Sequence, residues 1–401
     1  MRVVMTTYDS RGGVEPFAAL AVRLQEAGAE ALICAPPDCE ERLAEVGVPL
    51  VPVGGPVRAL VHGATRPPVT SIPEIAKALI AEQFDTLATA AEGCDALLAS
   101  GVMSAVAGAT SVAEMLGVRS IFVSYCPLFL PSPHHAPHPL PGRPFPAGVT
   151  DNRVLNDLDV ESYNVLFGEA LNTNRSAAGM PPVDDVRAHI FRDSTWLAAD
   201  PVLGPWHEPG YVDVVPTGAW FLPDDRPLST EVEAFLDAGE PPVYVGFGSM
   251  RAPEDFARVA IEAIRAQGRR VLVGHGWADL AAIDDQDDCL VVGEVNQQVL
   301  FGRVAAVVHH GGAGTTATAA RAGAPQVVVP QIGDQPYWAS RVAALGIGAA
   351  HDGPLPTVET LSSALGVALT SETRERATAV AGTVRTDGAA IAASMLLDAV
   401  D

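Results

Sequence analysis

The sequence predicts an α/β protein made of two consecutive doubly wound domains whose strand ends face a cleft. Three observations carry that expectation. The 401 residues exceed what one ordinary core encloses. The chain opens as strand, helix, strand, the start of a parallel sheet with right-handed crossovers. A second series of the same kind begins near Val243, and inside it an apolar run ends in a glycine-rich turn that opens a helix.

The first strand is expected over Val3 to Thr7, followed by the loop Tyr8-Asp9-Ser10-Arg11-Gly12-Gly13. A helix then runs from about Glu15 to Ala27, with Phe17, Leu20, Ala21 and Leu24 at the spacing of a buried face. Gly28 stops it, and Ala31 to Cys34 begins the second strand. Further strands are read at Ala96–Ala99, Ser120–Ser124 and Trp196–Ala199, with helices over roughly Ile75–Ala91 and Ala105–Leu116. The Pro-rich stretch from Pro127 to Pro139 excludes a regular element and is expected to form a mobile flap over a pocket. Its three histidines, His134, His135 and His138, lack the Cys or carboxylate spacing of a metal site.

Beyond Asp200 the pattern loosens into Gly-Pro and Pro-Gly turns, which places an interdomain linker at 211–230 between a first domain, 1–210, and a second, 231–382. Strands of the second series fall at Val243–Phe247, Arg270–Val273, Leu290–Val292, Ala305–Val308 and Gln326–Val329. Residues 383–401 read as a helix returning toward the first domain.

Composition narrows the function classes. A formal charge of −23 argues against nucleic acid and anionic membrane surfaces. No apolar run reaches the ~18 residues of a membrane span, and the start reads as a strand, not a signal peptide. Five cysteines without a CxxC pair suit reduced thiols in a cytoplasm, and a monomer is expected.

The chemistry concentrates in Val307-Val308-His309-His310-Gly311-Gly312-Ala313-Gly314-Thr315-Thr316. Free N–H groups of a helix's first turn, with glycines that let oxygens approach, suit a phosphate or pyrophosphate. Such turns also join strands to helices for packing alone, so the turn by itself leaves both readings open. Together with Pro330-Gln331-Ile332-Gly333-Asp334-Gln335-Pro336, however, the block resembles the donor-binding signature of nucleotide-sugar-dependent glycosyltransferases of the GT-B fold. The chain looks most like the bacterial members that glycosylate glycopeptide antibiotics of the vancomycin and teicoplanin class. Ser10-Arg11-Gly12, Cys34-Ala35-Pro36-Pro37-Asp38, Val243 to Ser249, Gly276-Trp277-Ala278-Asp279 and Gly293-Glu294-Val295-Asn296 extend the resemblance essentially end to end.

The resemblance implies two Rossmann-like domains, the first for the acceptor and the second for the donor. It implies inverting, metal-independent transfer of a sugar from a nucleoside diphosphate. His310, Gly312, Gly314 and Thr315 would then hold the pyrophosphate, with Ser249, Ser10 and Arg11 closing on it. Asp334 and Gln335 would face the sugar hydroxyls, and Trp277 and Val295 would flank the base. No cofactor or metal is expected beyond the donor substrate, a UDP- or TDP-sugar. Thr318 stands where plant relatives carry a ribose-binding Glu, so UDP and TDP both stay open.

One departure concerns the catalytic base. Glycopeptide members carry an Asp directly after Ser-Arg-Gly, where this chain has Gly13, while Asp9 stands where Gly is usual. Three readings remain: Asp9 reaches the acceptor from the other side of the loop, the acceptor is a phenol with a pKa near ~10 that needs less help, or the protein is slow or inactive. His134 or His135 is a remoter base, and Asp9 can equally be a turn residue binding its own backbone. The long Pro-rich segment resembles members acting on the central phenol of the heptapeptide aglycone. A hexose donor, glucose or N-acetylglucosamine, is expected; a TDP-deoxysugar acting on the aglycone or pseudoaglycone is the alternative.

Overall fold

The computed structural model describes residues 1–62 and 71–399. They form two compact units: 1–199 with 205–222 and 386–401, and 200–204 with 223–385. The last two residues of the helix expected over 383–401 lie outside the described residues.

The first unit contains a seven-stranded, all-parallel sheet. Its strands are β1 (Arg2–Tyr8), β2 (Glu30–Ala35), β3 (Leu50–Pro52), β4 (Ala96–Gly101), β5 (Arg119–Ser124), β6 (Ser194–Leu197) and β7 (Val214–Pro216). The order is β3-β2-β1-β4-β5-β6-β7, so the direction of winding reverses between β1 and β4. There Thr7 lies opposite Ser100 and Tyr8 opposite Gly101. One face of the sheet packs through Val3, Met5, Ile33, Leu98, Val123 and Trp196 against Phe17, Leu20 and Leu24 of the helix Arg11–Glu26. The last helix, Gly388–Leu397, joins that core through Ala389, Ala392, Ala393 and Leu396. Glycine is needed at 388, because a Cβ there would lie 2.5 Å from the Ala219 carbonyl oxygen.

Among the departures from the expected elements, two bear on the site. The helix after β1 begins at Arg11, four residues earlier than the expected Glu15, and Pro16 lies inside it; Ser10 is its N-cap and Gly12 and Gly13 lie in its first turn. The stretch Asn152–Ala177, for which no element is expected, is a continuous helical rod with a π-turn at Asn164–Gly168. Asp151 caps it, accepting from the N–H groups of Arg153 and Val154. This rod ties down the Pro-rich stretch: Asn152 Nδ2 donates to the Pro133 carbonyl at 2.8 Å and Asn156 Nδ2 to that of Ser132 at 3.3 Å.

The second unit contains a six-stranded, all-parallel sheet of β8 (Val243–Gly246), β9 (Val271–Gly274), β10 (Cys289–Val292), β11 (Ala306–His309), β12 (Gln326–Val328) and β13 (Gly348–Ala350), ordered β10-β9-β8-β11-β12-β13. Its winding reverses between β8 and β11. Both sheets therefore show the doubly wound pattern, and their reversal points are where ligands of such sheets bind, beyond the carboxyl ends of the strands. Among the described residues, no helix is long and apolar enough to cross a membrane.

Candidate functional site

In the second unit the reversal point is built from two turns. Beyond β11 comes His310-Gly311-Gly312, then the helix Ala313–Arg321, whose N-cap Gly312 supplies no side-chain cap. Its first-turn N–H groups thus have no intrahelical partner. Gly311 has φ +92° and a Cβ there would meet Val328 Cγ1 at 2.7 Å, so no other residue fits. A Cβ at Gly314, by contrast, would meet nothing within 4 Å. Glycine there answers no packing demand inside the protein, and it leaves the helix end open to a ligand.

The two histidines divide the work. His309 is fully buried; its Nδ1 accepts the Gly311 N–H at 3.1 Å and its Nε2 lies 2.9 Å from Gln326 Oε1. That pairing fixes the proton on Nε2. Gln326 Nε2 in turn donates to the Thr316 carbonyl at 3.3 Å. Burial lowers the His309 pKa to about 4, so a neutral imidazole braces the turn from below. The sequence signals no separate role for it. His310 is 8% exposed, and its Nδ1 is a buried nitrogen with no hydrogen-bond partner among the described residues. Burial, with His309 adding, lowers its pKa to about 3. An unpaired buried ring nitrogen beside an uncapped helix N-terminus is a polar group left for a ligand to satisfy, as donor or acceptor according to its tautomer. Gly312 makes room for the ring, since a Cβ there would come within 2.6 Å of His310 Nε2.

The loop after β8 and Gln335 reach this turn, and the other expected donor residues of the second unit lie on neighbouring elements. Half-buried Ser249 follows Gly248, which lies beside His310 Cε1 and has φ +56°. The Gly248 carbonyl accepts the Trp277 N–H at 2.8 Å, which stitches the loop after β9 to the loop after β8. Gln335 reaches Gly311 from the other side: its backbone oxygen and Cβ would lie 3.2 and 3.3 Å from a Cβ at 311. Its Oε1 accepts from the N–H groups of Gln331 at 2.7 Å and Ile332 at 3.1 Å. Asp334, N-cap of the helix Gln335–Ala344, accepts from Trp338 Nε1 at 2.7 Å. Burial raises its pKa to about 6. Thr315 is partly exposed on the helix's first turn. Val295 lies beyond β10 and packs against a cluster containing Leu228 and Val292.

In the first unit the reversal point brings together Asp9, Gly13, Ser100 and Tyr125. Asp9 Oδ1 accepts the Ser10 N–H at 2.6 Å, and its side chain folds over Gly13. A Cβ at 13 would lie 2.6 Å from Asp9 Cβ, 2.8 Å from Oδ2 and 2.9 Å from Cγ. Positions 9 and 13 therefore compete for one space, and in this chain the carboxylate comes from 9. Gly13→Ala is expected to displace Asp9 and lower stability by about 1–3 kcal/mol; a denaturant midpoint equal to that of the parent would contradict the clash. Arg11 pairs with Glu15 at 2.9 Å, and Glu15 is held also by Arg42 at 2.7 Å. Of the Pro-rich histidines, His134 meets His207 edge-on with centroids 6.0 Å apart, and His138 meets Phe129 edge-on at 5.6 Å. Among the described residues no cluster of His, Cys, Asp or Glu is arranged to hold a metal.

Residues 3–131 match the glycosyltransferase family 28 N-terminal domain, and residues 276–393 match the C-terminal domain of erythromycin biosynthesis protein CIII-like proteins. The chain is 57% identical to glycosyltransferase GtfE of Amycolatopsis orientalis, over 100% of this chain and 98% of that one. It is 56% identical to the vancomycin aglycone glucosyltransferase of the same organism, again over 100% and 98%. Among solved structures, the glycosyltransferase VinC in complex with dTDP superposes with a TM-score of 0.68 over 100% of both chains at 19% identity, which supports the fold. With both doubly wound sheets in place and more than half of its residues shared with these enzymes over its whole length, the chain is a glycosyltransferase and belongs to the vancomycin-type, GT-B family.

Proposed function

We propose that this enzyme transfers a hexose, glucose or N-acetylglucosamine, from its nucleoside diphosphate to a phenolic hydroxyl of a glycopeptide heptapeptide aglycone. The transfer is inverting and needs no metal. The end-to-end likeness to an enzyme named for glucosyl transfer to the vancomycin aglycone carries this reading. The acceptor oxygen attacks the anomeric carbon, the bond to the diphosphate breaks, and the nucleotide leaves with the electron pair. Asp9 takes the acceptor proton. His310 Nδ1 and the N–H groups of Gly314 and Thr315 stabilise charge developing on the leaving group, with Gly312 leaving room and Ser249 donating from the neighbouring turn. Asp334 and Gln335 hold the sugar, and Trp277 and Val295 flank the base.

The test is direct. Incubation with UDP-glucose, UDP-N-acetylglucosamine or TDP-deoxysugars and a glycopeptide aglycone is followed by mass spectrometry. A hexose or N-acetylhexosamine increment on the aglycone is expected. A deoxysugar increment alone would overturn the donor assignment. Release of nucleotide without acceptor, or no product with any donor, would overturn transfer itself.

A pH dependence follows from Asp334. Its folded pKa of about 6 lies above the ordinary carboxylate value, so in the free protein its contribution to stability falls as pH rises from about 4 to about 6. For donor binding the sign is opposite, because the ionised carboxylate accepts hydroxyl hydrogen bonds and the acid accepts fewer. The donor KM is expected to rise as pH falls below about 6, and Asp334→Asn should flatten that limb. A limb retained in the variant would remove Asp334 from sugar recognition.

A further inference from the structure

We propose that Tyr125 is a positioning residue that holds the Asp9 carboxylate in place through Gly13. The inference rests on the reading of Asp9 as the base.

Tyr125 follows directly on β5, and its ring is clamped edge-on by two aromatic neighbours. Its centroid lies 6.3 Å from Phe17 at an interplanar angle of 75° and 6.4 Å from Trp220 at 74°. Trp220 is itself fixed, since its Nε1 donates to the hydroxyl of fully buried Thr217 at 3.0 Å. A ring held on two sides by packed aromatics has little freedom to turn. Its hydroxyl is therefore delivered to one place, where it donates to the Gly13 carbonyl at 3.1 Å. The buried side chain of Ser100 lies beside it and lowers the phenol's pKa slightly against the burial. Burial, with the nearby Asp9 charge adding, pushes the phenol pKa well above its ordinary range, so Tyr125 is a neutral donor at every working pH.

Gly13 is thus gripped at its carbonyl by Tyr125 and covered at its Cα by the Asp9 side chain, whose Cβ, Cγ and Oδ2 all crowd the place of a missing Cβ. Asp9 has a second fixed point in the Ser10 N–H at 2.6 Å. The first turn of the helix Arg11–Glu26 is the platform on which the carboxylate rests, and Tyr125 sets the height of that platform. Small displacements of a catalytic group have large effects on rate, which gives the hydroxyl a role beyond filling space.

A double-mutant cycle on the full-length enzyme tests this. Tyr125→Phe keeps the ring and removes the hydroxyl. It should lower kcat about five- to tenfold with the donor KM unchanged, and in an Asp9→Asn background the same change should alter kcat by less than about twofold. An equal loss in both backgrounds would mean that Tyr125 supports the fold only, and would overturn the proposal while Asp9 stands. An unaltered kcat for Tyr125→Phe would do the same. A silent Asp9→Asn would instead remove the base, and this inference with it. Should Tyr125→Phe fold poorly, Ser100→Ala alters the buried side chain beside the hydroxyl, and the same cycle with Asp9→Asn decides by the same criteria.

Discussion

Asp9→Asn is expected to lower kcat toward the aglycone by about 10²- to 10³-fold at neutral pH, the range of a lost general base. The substitution is nearly isosteric and retains an oxygen that can accept the Ser10 N–H at the carboxylate's position, so folding should be preserved and the loss should fall on chemistry. The acceptor's nature makes the prediction sharper. A phenol ionises near pH ~10, so raising the pH supplies the phenolate that the base would otherwise generate. The variant should regain activity as pH approaches that value, and the parent should change much less. A variant within about threefold of the parent at pH 7 would shift the chemistry onto the acceptor itself and make Asp9 an ordinary turn residue. A large loss that did not recover at high pH would point to an alcohol as the acceptor.

His310→Ala is expected to lower turnover by about 10²-fold, the scale for removing one preorganised donor to a developing negative charge. Two features of the site set that magnitude. The ring is neutral, with its pKa at about 3, so the contribution is a hydrogen bond and not a full charge, and it should be insensitive to pH between 6 and 9. The Nδ1 position is also already dry and unpaired in the free protein, so part of its desolvation is met on folding and binding regains it. His309→Ala should behave differently. It removes the brace that joins the Gly311 N–H to Gln326, and its effect should appear first in thermal stability. Equal kinetic effects for the two histidines at unchanged Tm would refute this division of roles.

The features readable in the sequence were those repeated along the chain or confined to a few consecutive residues. Periodic Phe17, Leu20 and Leu24 identify a buried helix face, and the four apolar residues Ala305–Val308 before His309 identify a central strand. The glycine turn is legible because its three glycines fall within four consecutive residues between a strand and a helix. The features that escaped were of two kinds. Three-residue strands such as β3, β7 and β13 are too short to show a pattern, and β7 falls in a Pro- and Gly-rich stretch that reads as connector. The rod Asn152–Ala177 presents a mostly polar sequence, so its signals, the Asp151 cap and the four-residue spacing of Leu155, Tyr163, Phe167 and Leu171, are weak ones. Of the site, Asp9 and Gly13 could be singled out as an unusual pair, but not the reason they belong together. That reason is a contact between a side chain and an absent Cβ, and only coordinates display it. Tyr125 escaped for a similar cause, since 112 residues separate it from the carbonyl that it holds.

The path of the chain has an outcome for biosynthesis. The helix Gly388–Leu397 completes the core over Phe17 and Leu24, so a ribosome that has emitted the first 222 residues has released a unit still lacking one wall. That wall arrives only after the whole second sheet has been translated. The nascent first unit must wait with apolar surface uncovered, and chimeras exchanged between relatives at residue 222 will match only if the terminal helix is taken from the same parent as the opening strand.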